Sequence, residues 1–499
     1  MPAVATDAKA LRIPTIPVFE QFIAGAWVPA WSGRTFDDLD PWSGQIVARM
    51  AAGDAWDARR AIEAAQHAFA GWGTSTPSTR QDIFLRAAEI LERRRAEVMD
   101  WLASETGCGA DFGLIQIEFV LSLLKQASGA GYAAVGQVIP SDQPGSLAMA
   151  VRRPVGVVAA IVPWNAALIL SARAIVAPLM LGNTVVLKPS EESPWVAGVL
   201  WAQIFHEAGL PPGVLNVVTH APGDAGAIGN ELIEHPFVRR INFTGSTATG
   251  RRLAEKAGRH LKRMVLELGG QNPLIILSDA DLAYAVDAAA YGAFLHQGQI
   301  CMCARRLFVE RSVAREFLER FSAKSAGLAH GDPRDPHTVI GPLINSHALS
   351  MVTRRVDEAV AGGARVLAGG HPVGRCYPAT VITDVPSNCE LSQEETFGPV
   401  AIVDIVDDVD DAIRRANDSV YGLTAGVITG DTERGMAIAE RLDAGIIHIN
   451  DQPIHDEPQM PFGGVKDSGW GRFGVTFAPE EFTDTHWVTV KRRQRTFPF

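Results

Sequence analysis

The sequence predicts an α/β protein built on two successive parallel sheets, each covered by helices on both faces. Three observations carry this. From Val155 onward, short continuous apolar runs alternate with helix-length segments, which is how strands buried on both faces read. The alternation runs to Leu266 and starts again at Leu274. At 499 residues the chain exceeds one hydrophobic core, so two large lobes and a smaller appendage are expected.

Hydrophobic residues make up 47% and charged residues 20%, the balance of an ordinary globular protein. A net charge of −11 argues against nucleic acid, whose phosphates need basic patches. The cysteines, Cys108, Cys301, Cys303, Cys376 and Cys389, are odd in number and thinly spread, which suits a reducing cytoplasm rather than a disulfide framework. Met1 to Pro17 has no signal-peptide pattern. The apolar stretch Val155–Leu181 is broken by Pro163-Trp164-Asn165, Arg173 and Pro178, so no membrane span is expected.

Taken in order, residues up to about Glu20 read as a loose leader, and Phe22–Val28 as a hairpin around Gly25. Turn residues follow at Asp40-Pro41-Trp42-Ser43-Gly44. Apolar residues at helical spacing predict a helix over Asp54–Phe69 and a longer one over Ser78–Glu105, with Ser78 and Gln81 as a capping box. The first series then reads strand Val155–Val162, helix Ala167–Leu181, strand Thr184–Leu187 and helix Ser193–Ala208. It continues with strand Val214–Thr219, helix Ala225–Ile233, strand Arg240–Thr244, a helix from Ser246 or Thr247, and strand Met264–Leu266. The second series has strands near Leu274–Leu277, Leu307–Val309, Val400–Val406 and Ile446–Ile449, and Ala368-Gly369-Gly370 reads as a loop. Phe482–Val490 reads as a late strand that needs a sheet to join, for which a partner subunit is one supplier.

Two stretches invite a phosphate reading. Gly469-Trp470-Gly471-Arg472-Phe473-Gly474 matches G-x-G-x-x-G literally, but no strand precedes it and Pro479 follows, so it is rejected as a cofactor loop. Phe243-Thr244-Gly245-Ser246 follows an apolar strand and opens a helix, where free N–H groups suit an anion; the same residues also describe a capped helix with no ligand. Lys188-Pro189-Ser190-Glu191 ends another strand of the same sheet, and Lys188 with Glu191 would suit ribose hydroxyls while disfavouring a 2′-phosphate. Between a helix ending near Ala293 and the strand at Arg306 lies His296-Gln297-Gly298-Gln299-Ile300-Cys301-Met302-Cys303. Alone, its thiols would be packing. No His/Cys cluster completes a metal site around Cys301 and Cys303, and His455-Asp456-Glu457 reads as a loop.

Together with Pro163-Trp164-Asn165, Leu266-Glu267-Leu268-Gly269-Gly270, Glu394-Glu395-Thr396-Phe397-Gly398-Pro399 and Pro461-Phe462-Gly463-Gly464, these pieces resemble the aldehyde dehydrogenase superfamily from about Phe22 to Val490. The resemblance implies a Rossmann-like NAD-binding domain (1–137 and 159–266), an α/β catalytic domain (267–476) and a small β element for oligomerisation (138–158 and 477–499). It implies Cys301 as nucleophile, Glu267 as general base and Asn165 as oxyanion donor. NAD would be held by Pro163, Trp164, Lys188, Ser190, Glu191, Gly226, Gly245, Ser246, Leu268, Glu395 and Phe397. The implied reaction is thiolate attack on an aldehyde, hydride loss to leave a thioester, and hydrolysis by water that Glu267 activates. Cys303 reads as packing, with oxidative pairing to Cys301 as a side reaction.

Ile139 to Arg152, His296 to Met302 and His455 to Pro461 are most similar to the aromatic-aldehyde branch, the vanillin, salicylaldehyde and benzaldehyde dehydrogenases. That likeness implies a substrate tunnel lined by Leu170, Arg173, Ile300, Met302 and Phe462, with Arg173 meeting a ring substituent or serving as a structural ion-pair partner. His296, Gln271 and Ala167 depart from the superfamily's usual Asn, Lys and Pro. A homodimer or homotetramer acting on a small aldehyde, without nucleic acid, membrane or metal, is the resulting expectation. The competing readings are an aliphatic semialdehyde dehydrogenase, a CoA-acylating relative, and a catalytically idle binding or structural protein on the same fold.

Overall fold

The computed structural model describes residues 16–133 and 136–499. Most of the expected leader, residues 1–15, lies outside them, but Val18–Phe19 is a strand paired with Ile46–Ala51. The first large sheet has eight strands, and its centre is the parallel run Arg263–Glu267, Val238–Thr244, Val157–Ile161, Thr184–Lys188 and Leu215–Val217. The central residues of these strands are mostly apolar because helices cover both faces. The second sheet has seven strands and runs Arg365–Ala368, Thr380–Thr383, Val400–Val406, Ala304–Glu310, Asn272–Ile276, Thr424–Ile428 and Ile446–Ile449, parallel except at the first.

The segment 267–272 crosses from one sheet to the other: Glu267 ends an edge strand of the first parallel run, and Asn272 begins a central strand of the second sheet. The literal G-x-G-x-x-G supplies Gly469–Trp470, which pairs antiparallel with Leu266 and Glu267 and closes that edge. The late strand Thr483–Lys491 finds its sheet within its own chain, pairing with Ser146–Pro154, which pairs in turn with Gly136–Ile139.

Three local expectations are corrected. Ser78–Glu105 is two helices, Pro77–Arg93 and Arg95–Thr106, broken at Arg94, whose guanidinium is held by Glu97 and by Gln203 at 2.6 Å. The cap is Thr76, which accepts from Thr79 N–H, and Ser78 lies inside the first turn. Ala110–Ala133 forms a further helix with no counterpart in the sequence reading. Arg365–Ala368 is an edge strand that stops at the Gly369-Gly370 turn. No described helix is long and apolar enough to cross a membrane.

Asn183 joins these layers. Its Oδ1 accepts from Val155 and Gly156 N–H at 2.8 and 3.1 Å, and its Nδ2 donates to the carbonyls of Pro178 and Phe482 at 3.1 and 3.0 Å. A helix, a strand and the C-terminal segment thus share one fully buried amide. Asn183→Ala would strand two N–H groups and the Phe482 carbonyl, since Pro178 O keeps the backbone N–H of residue 183, and should cost about 3 kcal/mol in denaturant unfolding. A loss within about 0.5 kcal/mol, the usual range for surface changes, would deny it this role.

Candidate functional site

In a parallel sheet, ligands gather at the carboxyl ends of the strands. Here those ends stand in register: Thr244 pairs with Glu267, Phe243 with Ile161, and Ile161 with Lys188. One edge therefore presents Glu267, Thr244-Gly245-Ser246, Pro163-Trp164-Asn165 and Lys188-Pro189-Ser190-Glu191 in succession.

A cavity of about 650 Å³ opens on this edge. Its lining brings together Pro163, Trp164, Asn165, Leu170, Gly245, Ser246, Glu267, Leu268, Cys301, Glu395 and Phe397. Lys188, Ser190, Glu191 and Gly226 lie outside that lining, further along the same edge and at the start of the Ala225–Glu234 helix. Lys188 and Glu191 do not act as a pair. The buried Lys188 ammonium donates to Pro189 O at 3.1 Å, and Glu191 faces His220 at 3.6 Å. Burial lowers Lys188 to about 8, against the pull of Glu191.

The thiol of Cys301 meets the carboxylate of Glu267 from the opposite lobe. The nucleophile loop is fixed from the second sheet: Asn272 Nδ2 donates to the carbonyls of Cys301 and Cys303 at 2.8 and 2.9 Å, and its Oδ1 accepts from Thr424 N–H at 3.0 Å. Gly270 is required there, since a Cβ would stand 2.5 Å from Cys301 O. The preceding turn is held as tightly. His296 and Gln297 are both left-handed, at φ 49° and 56°. Gln297 donates to the carbonyls of Gly107 and Pro342 at 2.8 and 3.1 Å, Arg305 donates to Gly298 O, and Gln299 Oε1 accepts from Ile344 N–H at 3.0 Å. Asn165 Nδ2 donates one hydrogen to Gln299 O at 2.9 Å, leaving the other for the cavity.

Desolvation dominates the electrostatics. Burial raises Glu267 to about 8, with the Cys301 hydrogen bond and the Arg173 charge opposing it, and its Oε1 has no protein partner. Burial, the Glu267 charge and the hydrogen bond to it hold the Cys301 thiol well above its ordinary range, and Arg173 pulls the other way. Below about pH 8 the carboxyl and the thiol therefore each keep a proton at rest, with no free thiolate. Glu395 rises to about 7 by burial, though Gly270 N–H donates to it at 3.2 Å. Cys303 is fully buried, its N–H donates to Ile300 O at 3.0 Å, and it packs.

Of the expected tunnel residues, only Leu170 lines this cavity. Ile300, Met302 and Phe462 are buried in the core cluster that contains Cys301. Arg173 is ion-paired with buried Asp456, and its guanidinium lies 4.0 Å over the Phe462 ring. The ion-pair reading of Arg173 thus describes its resting contacts. Sequence reasoning missed Asn272, Asp456 and the pinning role of Gln297. The Asn at the head of an otherwise apolar strand was the available signal for Asn272, and the need of a buried arginine for a carboxylate was the signal for Asp456.

Comparison with known proteins identifies the family. The family model described as "Aldehyde dehydrogenase family" matches residues 27–488. A vanillin dehydrogenase of Pseudomonas fluorescens is 46% identical over 95% of this chain and 98% of its own. A benzaldehyde dehydrogenase (NAD(+)) of Pseudomonas putida is 41% identical over 94% and 99%. The crystal structure of a salicylaldehyde dehydrogenase from Pseudomonas putida G7, complexed with salicylaldehyde, superposes with a TM-score of 0.94 at 39% identity, covering 97% of this chain and all of that one.

The raised Glu267 has a consequence for stability. An unfolded chain releases this proton near 4.5, whereas the folded chain keeps it to about 8, so folding loses ground as pH rises through that window. Glu267→Gln removes the loss. Its apparent Tm should exceed the parent's at pH 8 and fall back toward it near pH 4.5. An equal or lower Tm at pH 8 would mean that Glu267 is not desolvated.

Proposed function

The chain belongs to the aldehyde dehydrogenase family, and we propose that it oxidises a monocyclic aromatic aldehyde to the carboxylic acid with NAD. The observation that carries the reading is one cavity shared by Cys301, Glu267 and Asn165 with a helix start at Gly245-Ser246. Three named relatives that act on vanillin, benzaldehyde and salicylaldehyde support the substrate class.

The donor set fits a dinucleotide. Ser246 caps the Thr247–Arg259 helix by accepting from Thr249 N–H, which leaves earlier N–H groups of that turn for a pyrophosphate. Glu191, with the Lys188 ammonium beside it, suits a ribose diol and repels a 2′-phosphate. Pro163, Trp164, Leu268, Glu395 and Phe397 would wall the reactive end, with Trp164 edge-on to Phe397 at 5.7 Å, while Ser190 and Gly226 would face the adenosine side. The chemistry NAD supplies when bound is acceptance of a hydride.

The chain's own residues do the rest. In its ionised form, reached once burial's hold on its proton is overcome, Glu267 takes the proton from Cys301 as sulfur attacks the carbonyl carbon and the C–S bond forms. The oxygen gathers charge beside the free Asn165 N–H and the Cys301 backbone N–H, which has no protein acceptor among the described residues. Once the adduct is oxidised to the thioester, Glu267, having released its first proton, takes one from water as it adds. The C–S bond then breaks, sulfur takes that proton back from Glu267, and the acid leaves. Glu267 supports this hydrolytic outcome over transfer to CoA. Leu170 supplies an apolar wall for a ring, with Ile300, Met302 and Phe462 packed in the core cluster of Cys301 and Arg173, ion-paired with Asp456, lying over Phe462.

Residues 1–137 with 159–266 are assigned to cofactor binding, 267–476 to catalysis, and 138–158 with 477–499 to oligomerisation. The last assignment is supported by the sheet of Gly136–Ile139, Ser146–Pro154 and Thr483–Lys491, which leaves Val138 and Trp487 exposed at 70% and 83%. A homodimer or homotetramer in the cytoplasm is the assembly this face suits.

NADH formation should be followed with vanillin, salicylaldehyde, benzaldehyde, succinic semialdehyde and acetaldehyde. The expected order favours the aromatic members, Cys301→Ala abolishes turnover, and Asn165→Ala lowers kcat by about 10²–10³. A preference for succinic semialdehyde or acetaldehyde would refute the aromatic assignment. NAD binding without turnover of any aldehyde would refute the catalytic one.

A further inference from the structure

Positive charge gathers in one place that the reaction does not use. A cavity of about 630 Å³ lies between the end of the Ala55–Trp72 helix, the Pro77–Arg93 helix and the start of the Thr483–Lys491 strand. Its lining includes Arg80, Arg152, Arg153 and His486 and contains no aspartate or glutamate. In a chain of net charge −11 such a wall is the reverse of the average. None of these residues lines the catalytic cavity.

Arg80 is the telling member. It is only 7% exposed, its Nε has no hydrogen-bond partner, and among the described residues no carboxylate is near enough to act on it. An arginine cannot shed its proton to escape such a site. A buried N–H donor such as Arg80 Nε is destabilising until an acceptor meets it. Its Nη1 lies against Gly182, where a Cβ would stand 2.6 Å away, so that wall admits no side chain.

The neighbouring charges are accounted for. Arg152 is bound to Glu480 and donates to Pro479 O at 3.0 Å and Thr483 Oγ1 at 3.3 Å. Asp484, opposite Arg153 in the ladder, is taken by Arg240 at 2.5 Å. That leaves buried Arg80 and exposed Arg153 and His486 in the lining, which holds no acid.

We infer that this cavity binds a small oxyanion, a phosphate or a carboxylate, between the guanidinium groups of Arg80 and Arg153. Two planar forks on a dry floor and a wet rim suit an anion with several oxygens, which can accept from both at once. A monovalent halide offers no such match.

The test is thermal unfolding of the full chain titrated with sodium phosphate, sodium acetate or sodium chloride at matched ionic strength. The parent should show a saturable rise in Tm with phosphate or acetate beyond that with chloride, and which of the two works identifies the source of the oxyanion. Arg153→Ser removes a rim residue and should raise the half-saturating concentration about tenfold, the loss of one charge-assisted contact. Arg80→Lys keeps the charge but loses the fork, and should weaken phosphate similarly. Equal responses to all three salts would overturn the site. So would a phosphate response unchanged in both variants, which would move the anion elsewhere, for instance to the helix start at Ser246. A fall in molecular mass of Arg153→Ser with no change in anion response would give these arginines to a partner subunit's carboxylate, and would also overturn it.

Discussion

The constraint on which the rest of this structure depends is the contact of one carboxyl group and one thiol across the seam of two sheets. Glu267 arrives at the end of an edge strand of the first parallel run, and Cys301 arrives on a loop that feeds a strand of the second. Neither lobe alone makes the pair. Bringing them together in a dry place is costly, because an isolated carboxylate in low dielectric is expensive. Glu267 accordingly keeps its proton to about 8 and Cys301 sits far above its ordinary range. Reactivity is thus held back until something draws charge out of the pair, which a carbonyl carbon flanked by the Asn165 amide can do.

Much of the surrounding detail serves to hold that contact still. Asn272 grips both carbonyls of the cysteine loop, and Gly270 lets the crossing segment pass at van der Waals limit. The left-handed pair His296-Gln297 turns the chain sharply. Such geometry costs about 1–3 kcal/mol per residue and persists only where neighbours over-determine it. Gln297, Arg305 and Gln299 provide that over-determination. His296 itself is buried with both ring nitrogens unpaired, and burial lowers it to about 4, so it stays neutral beside the site.

The parallel sheets were legible because a strand buried on both faces carries a continuous apolar run, as Val157–Ile161, Val185–Leu187 and Val400–Val403 do. The break at Arg94 was not, because no glycine or proline marks it; the side chain of Gln203, 109 residues further on, helps to make it. The Ala110–Ala133 helix escaped notice because apolar residues surround most of its circumference and blur the helical period. At the site, motif order pointed to Cys301, Glu267 and Asn165, whereas each taken singly is indistinguishable from packing or a strand-end polar group. Contacts between segments far apart in sequence, such as Arg173 with Asp456, left no local trace.

The central claim is that Glu267 and Cys301 ionise as one buried pair, so the charge on one sets the ionisation of the other. The direct measurement is the pH dependence of Cys301 alkylation by iodoacetamide, in the parent and in Glu267→Gln, with Cys301→Ala as the blank. With the Glu267 charge gone, the thiol should ionise more readily, and the alkylation profile should move to lower pH. A profile that stays in place, or moves to higher pH, would contradict the coupling on which this account rests.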